Sequence, residues 1–320
     1  MKPIVVRCPA KVNLHLEVLG LRADGYHEVR TLMAAVGLWD ELVVFPSASG
    51  AIEVAVEGGV AVPEDNTVRR AGELLARHFG VRAGAKIVLA KGIPVAAGLG
   101  GGSADGAAAL VGLAHFWGLD LPRRELAALA AALGSDVPFF LEGGACWAEG
   151  RGEIVYPLPD LPPLGVVLVP GREPVPTPAV YRAWDEGHGP TGGLHEGKVE
   201  PEMVGAHGFP RAAEALLYDW LVGGGRLPWA KLRNDLQQPA VGLFPWIGEH
   251  LRRLETFSPL LAMVSGSGGT VFGIFASQAE ARNAAGGIPG AVAVPVLTRK
   301  QSRLVPKRKE DACGNHRGAH

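Results

Sequence analysis

Residues 94–105 read Pro94-Val95-Ala96-Ala97-Gly98-Leu99-Gly100-Gly101-Gly102-Ser103-Ala104-Asp105. The stretch lies between a short apolar run at 85–90, which reads as a strand, and an alanine-rich run at 103–117, which reads as a helix stopped by Gly118. Glycines allow positive φ and let a backbone come close to an anion. The helix that follows offers unpaired N–H groups and the positive end of its dipole. The combination is a cradle for phosphates. Two common phosphate loops are excluded by spacing. A Walker A loop needs Gly-Lys-Ser/Thr after its last glycine, and none is present. The dinucleotide fingerprint needs a glycine five residues after Gly98, where Ser103 stands.

On the N-terminal side, 4–19 reads mainly as strand. Val12, Leu14, Leu16 and Val18 share one face, and Lys11, Asn13, His15 and Glu17 share the other. Asp24-Gly25 marks a turn, and strand-like runs follow at 28–36, 41–45 and 52–56. The run 67–79 reads as a helix ending at Gly80. On the C-terminal side, 121–133 reads as a helix stopped by Gly134, and a polar cluster follows at 135–141. Prolines at 157, 159, 162 and 163 mark a linker. A second domain begins near Gly165, with a buried-type strand at 166–169. The stretch 187–210 is polar and rich in Gly and His, and reads as a mobile loop. Helices are expected at 211–222 and 245–254, and a strand, glycine turn and strand at 263–275. The tail 299–320 carries many charges and no apolar period, so disorder is expected there.

The bulk properties bound the class. A chain of 320 residues with 48% apolar content is long enough for one large or two medium domains. A formal net charge of −1 gives no global field toward nucleic acid or membrane, so any charged ligand must be held locally. Cys8, Cys146 and Cys313 have neither CxxC spacing nor a neighbouring His pattern. They indicate no disulfide framework and no zinc site, which favours a reducing, cytoplasmic setting. The N-terminus has charges inside its apolar stretch, unlike a signal peptide. No run approaches the ~20 apolar residues needed to cross a bilayer.

Two charged residues add chemistry to the glycine loop. Lys11 sits on the polar face of the first strand. Asp136 follows a helix in Gly134-Ser135-Asp136-Val137-Pro138. Alone, the first reads as a solvated lysine and the second as a helix cap or turn residue. Beside a phosphate cradle they supply what phosphoryl transfer to an alcohol needs: a group to take or orient the hydroxyl proton and a cation to steady developing charge. A lysine beside an aspartate favours the ionised carboxylate and weakens it as a base. Orientation of the hydroxyl therefore matters as much as proton abstraction.

The sequence at 94–105 resembles the ATP-binding motif of the GHMP kinases, of the form Pro-x-x-x-Gly-Leu-Gly-Gly-Gly-Ser-Ala-Asp. Ala96 and Ala97 stand where many members of that family have glycine, a departure expected to alter loop flexibility rather than anion binding. Pro9-Ala10-Lys11-Val12-Asn13-Leu14 and Ala23-Asp24-Gly25-Tyr26-His27-Glu28 resemble one branch of the family, which phosphorylates 4-diphosphocytidyl-2-C-methyl-D-erythritol. So do the segments Gly134–Phe140, Pro176-Thr177-Pro178 and Asn234-Asp235-Leu236. Val264-Ser265-Gly266-Ser267-Gly268 resembles the family's third motif, a glycine turn near the nucleotide. The matches run in family order from about Pro9 to Phe275.

The resemblance implies an α+β fold in two domains: 1–160, like ribosomal protein S5 domain 2, and 161–298, ferredoxin-like, with the ligand cleft between them. It implies an ATP-dependent small-molecule kinase of the non-mevalonate isoprenoid route, with Mg²⁺ accompanying ATP and no dedicated protein metal cage. The implied catalytic residues are Lys11 and Asp136. Pro94, Gly98, Leu99, Gly100, Gly101, Gly102 and Ser103 are the implied ATP contacts. Asn13, Tyr26, His27, Thr177 and Tyr181 are implied around a cytidine-diphosphate-linked substrate, with Tyr26 and Tyr181 stacking on the base and His27 at its edge. Neither nucleic acid nor membrane is an expected partner, and either a monomer or a homodimer is compatible. The alternatives are a GHMP kinase for another small alcohol and a non-catalytic nucleotide-binding regulator.

Overall fold

The alternating run near the N-terminus forms β1 (Ile4–Leu21), paired antiparallel along almost its whole length with β2 (His27–Ser47). Gly25, at φ +82, turns the chain between them, and the Asp24 carboxylate accepts the Tyr26 N–H. The computed structural model describes residues 2–58, 63–188, 208–222 and 226–312. The two runs expected as separate strands at 28–36 and 41–45 are one strand. Pro9 pairs with Trp39 and Ala10 with Val36, so Gly37 and Leu38 form a bulge opposite that step. A proline cannot donate to the ladder, which makes this the place where the strand bends.

Beyond β2 come β3 (Ile52–Glu57), α1 (Thr67–Phe79), β4 (Gly84–Ala90), α2 (Gly101–Trp117), α3 (Arg123–Leu133) and α4 (Val137–Glu142). The hairpin of β5 (Ala145–Glu149) and β6 (Ile154–Pro157), absent from the sequence reading, completes this part of the sheet through β2. Helix α1 starts on Asn66, whose side chain accepts the Arg69 N–H, and ends at Gly80 in the left-handed region. Helix α2 is apolar almost all round, with twelve buried residues, because it runs through the core of the first sheet's layer.

The second sheet contains β7 (Gly165–Pro170), β8 (Leu261–Val264), β9 (Thr270–Phe275) and β10 (Val292–Pro295), in the order β10-β7-β9-β8 and antiparallel throughout. Around it lie α5 (Thr177–His188), α6 (Arg211–Leu221), α7 (Gln237–Leu243), α8 (Pro245–Glu255) and α9 (Gln278–Gly286). Of the expected mobile loop at 187–210, residues 187 and 188 belong to α5, and 189–207 lie outside the described residues.

The two sheets are stitched together. Leu16 bridges to Asn234 and Val36 to Val296, and the Leu297 N–H donates to the Ala35 carbonyl. The expectation of a disordered tail from 299 is corrected for 299–312, which form α10 (Arg299–Ser302), β11 (Lys307–Arg308) and α11 (Lys309–Ala312). Thr298 and Gln301 close a capping box at the start of α10. The Arg299 guanidinium donates to the carbonyls of Glu142, Gly143, Ala145 and Leu158, and β11 pairs with the edge of β1. Long-range partners hold this segment, and an apolar period cannot report them. The residues 313–320 lie outside the described ones.

Candidate active site

The glycine loop emerges from β4, crosses the edge of β1 and feeds α2. The Lys11 N–H donates to the Leu99 carbonyl, and the Ser265 hydroxyl donates to the Gly98 carbonyl, so both sheets grip the loop. Gly98 and Gly100 have φ of +74 and +72. A Cβ on Gly98 would lie 2.2 Å from the Ser265 carbonyl oxygen, and one on Gly100 would lie 2.9 Å from Lys11 Cγ. These glycines are required by close approach as well as by conformation. Ala96 also sits at positive φ, +55, without that freedom. The Leu99 side chain is 1% exposed and packs in the core, so it anchors the loop there, and any contact of this residue with a nucleotide falls to its backbone.

Two cavities meet at this loop and share Gly98, Gly100 and Ser103. One, of about 400 Å³, runs along Pro94, Gly101 and Gly102 toward Asn66 and Lys91. The other, of about 690 Å³, holds Lys11 and Asp136 at one end and Tyr26, His27, Thr177 and Tyr181 along its length. Residues drawn from both sheets, 11 to 267 in sequence, therefore line one space.

Lys11 is not a solvated surface lysine. Its side chain is 5% exposed, and its Nζ donates to Asn13 Oδ1 at 2.6 Å and lies 3.3 Å from Asp136 Oδ2. Asn13 Nδ2 donates to Thr31 Oγ1, which donates to the His15 carbonyl. The chain Thr31–Asn13–Lys11 fixes the ammonium before any ligand arrives. Asp136 occupies the cap position of α4 but makes no side-chain capping bond. Its carboxylate is one-third exposed and turned to Lys11 instead. An unused capping residue held beside a buried cation is available to a substrate hydroxyl.

At the far end of the larger cavity, the Arg151 guanidinium lies 4.8 Å over the Tyr26 ring. His27 stacks on Tyr181 at 4.6 Å, and its Nε2 lies 2.8 Å from Asp185 Oδ1. Thr177 Oγ1 and Ser267 Oγ are 2.7 Å apart, tying α5 to the 264–268 turn. Asn234 donates to the Val264 and Gly266 carbonyls, while Asp235 accepts the Val18 N–H. Together they dock that turn on β1. His15 lines nothing: it is 2% exposed and its Nδ1 accepts the Arg233 N–H. Burial, helped by the Arg233 charge, pushes its pKa down to about 4.

A cluster that sequence reasoning gave no role lies under the glycine loop. Lys91 donates to Asp40 and, at 2.7 Å, to Asp105 Oδ2. Asp40 Oδ1 accepts the Gly92 and Ile93 N–H groups, which sets the path of the chain into the loop. Burial, with Asp40 alongside, raises the Asp105 carboxyl to about 7 despite Lys91. The Cys8 thiol beside it is pushed well up by burial and by the Asp105 charge, so it stays protonated. Asp105 lies about one turn into α2, whose apolar residues surround the helix, so no periodicity marked its direction, and its partner Lys91 carried no signal either. Cys8 and Cys146 are buried free thiols, and Cys313 lies outside the described residues. Among the described residues, no three His, Cys, Asp or Glu gather as a metal site, and no helix is long and apolar enough to cross a membrane.

The sequence matches the family models described as GHMP kinases N terminal domain, over residues 66–144, and GHMP kinases C terminal, over residues 226–292. It is 44% identical to a 4-diphosphocytidyl-2-C-methyl-D-erythritol kinase of Pelotomaculum thermopropionicum, over 86% of this chain and 90% of that one. It is 41% identical to one of a Nocardioides species, over 89% and 93%. A crystal structure of 4-(cytidine 5'-diphospho)-2C-methyl-D-erythritol kinase aligns with a TM-score of 0.69 at 37% identity, covering 91% of this chain and 98% of that one. Homoserine kinase from Cytophaga hutchinsonii aligns with a TM-score of 0.67 over 96% and 97%, at 19% identity, a likeness of fold alone.

Proposed function

From the premise that the chain belongs to the 4-diphosphocytidyl-2-C-methyl-D-erythritol kinases of the GHMP family, we propose that it transfers the γ-phosphoryl group of ATP to the 2-hydroxyl of that substrate. The observation that carries this reading is the Lys11–Asp136 pair, 3.3 Å apart, beside the glycine loop that separates the two cavities. ATP occupies the smaller cavity, with its phosphates over Gly100–Ser103 at the head of α2, where unpaired N–H groups and the helix dipole favour anions. The acceptor occupies the larger one.

In the transfer, the acceptor oxygen forms a bond to the γ-phosphorus as the bond to the β-γ bridging oxygen breaks, and ADP leaves. Asp136 orients the hydroxyl and takes its proton. Lys11, fixed by Asn13, holds the carboxylate and steadies charge on the acceptor oxygen. Mg²⁺, held by the nucleotide phosphates, would neutralise their charge. Tyr26 and Tyr181 offer flat faces for the cytosine, worth ~1–3 kcal/mol per stacked base. Because Arg151 covers one face of Tyr26, the base takes the other face or displaces the guanidinium.

The test is ADP release from ATP and Mg²⁺ with 4-diphosphocytidyl-2-C-methyl-D-erythritol, with mevalonate and homoserine in parallel. Release with the cytidyl substrate alone is expected. Release with another alcohol would remove the roles given to Tyr26 and His27, and none with any alcohol from protein that binds ATP would leave a regulator.

A further inference from the structure

A carboxylate on another element, 158 positions away, reaches the His27 ring. Helix α5 presents Tyr181, Trp184 and Asp185 at spacings of three and four, which puts them on one face. All three meet the His27 ring. Tyr181 stacks on it at 4.6 Å, Trp184 meets it edge-on at 6.0 Å, and Asp185 Oδ1 lies 2.8 Å from Nε2. The ring is thus held in position and in rotation. An ionised carboxylate only accepts hydrogen bonds, so a neutral His27 carries its proton on Nε2. The partner of one ring nitrogen fixes the state of the other. Nδ1 is left as an acceptor, in a ring that lines the larger cavity.

The two pyrimidines differ at the edge such an acceptor would meet. Cytosine carries an exocyclic amine, a donor, where uracil carries a carbonyl oxygen, an acceptor. We infer that Asp185 is a specificity-determining positioning residue, which holds His27 in the Nε2–H form so that Nδ1 accepts from the cytosine amine and rejects uracil. The inference rests on the functional reading above, in which His27 meets the base edge. Asp185 itself does not touch the base; it acts through His27. A site that presents the wrong partner to a hydrogen-bonding group discriminates strongly, because a polar group is left unpaired. Asparagine at 185 can donate as well as accept, so it releases the constraint on the tautomer without removing bulk.

The experiment compares kcat and KM for the cytidyl substrate and for its uridyl analogue, in the wild type, in Asp185→Asn and in Asp185→Ala. The wild type should prefer cytosine. Both variants should lose at least about tenfold of that preference, mainly through KM for the cytidyl substrate, with KM for ATP unmoved. ¹⁵N chemical shifts of His27 should report an Nε2-protonated ring in the wild type and a mixture in Asp185→Asn. A preference retained in both variants, or an unchanged tautomer in Asp185→Asn, overturns the inference. A wild-type enzyme that uses both analogues equally also overturns it while leaving the kinase reading intact. One that uses neither, while binding ATP, overturns the reading on which the inference rests.

Discussion

Two carboxylates, Asp136 and Asp105, show how position decides what one residue type does. Asp136 is partly open to the cavity and faces Lys11. Asp136→Asn keeps the shape but can no longer take a proton, so turnover should fall by at least ~100-fold while ATP affinity stays near normal. Steady-state kinetics with a separate nucleotide titration checks this, and a near-normal kcat would remove Asp136 from the chemistry. Asp105 is enclosed with Lys91 and Asp40, and burial raises its carboxyl to about 7 from an ordinary 3.8. Between those two values the folded protein holds a proton that the unfolded chain has released. Its contribution to stability is therefore full below the unfolded value and is lost as pH rises toward 7. Asp105→Asn fixes the neutral form. The melting temperature of the wild type minus that of this variant should thus fall as pH is raised from about 5 to 8. A difference that stays level or rises would contradict the assignment.

The glycine loop and α2 behave as one element whose glycines are not equivalent. A methyl group on Gly98 would strike the Ser265 and Gly268 carbonyl oxygens, at 2.2 and 2.5 Å, at a residue already at positive φ. Gly102, inside the first turn of α2, has nothing closer than Thr67 Oγ1 at 3.8 Å. Gly98→Ala should lower stability by more than ~1 kcal/mol and weaken ATP binding, since the loop loses its seat against the 264–268 turn. Gly102→Ala should be neutral or stabilising by up to ~1 kcal/mol, because alanine is the better helix former. Thermal melts of the two variants, with ATP titrations on each, make the comparison; equal destabilisation would mean that the second sheet does not brace the loop. The cradle was legible because three glycines before an alanine-rich helix are a local signal. The bracing was not, because its partner Ser265 lies 167 residues further on.

On the scale of the whole molecule, the C-terminal segment closes the structure on itself. Arg299 donates to four carbonyls in the α4–β5 and β6 region, and Ser302 Oγ accepts the Gly144 N–H. Arg299→Ala removes the guanidinium from those carbonyls, of which Ala145 keeps the Leu158 N–H and Gly143 the Cys146 thiol, and should destabilise the fold by roughly 1–3 kcal/mol. A two-state denaturant titration measures it, and a change within ~0.5 kcal/mol would make the segment an ornament rather than a clasp. The expectation of disorder over 299–320 failed at 299–312 because charge and missing periodicity describe a segment's own preference. This segment is held by backbone groups of the first sheet.

The sequence by itself determined the local elements that repeat or punctuate: the alternating first strand, the helices stopped at Gly80, Gly118 and Gly134, and the glycine cradle. It also named Lys11, Asp136 and the residues around them, through motifs that resemble the GHMP kinases. Only the tertiary structure decided that Lys11 is buried rather than solvated and that Asp136 leaves its capping role. The same holds for His15, which is a packed neutral ring, and for Asp185, which reaches His27. Each of those outcomes depends on a neighbour far along the chain. Burial and charge are properties of the assembled surroundings, and no local pattern encodes which distant side chain will supply them.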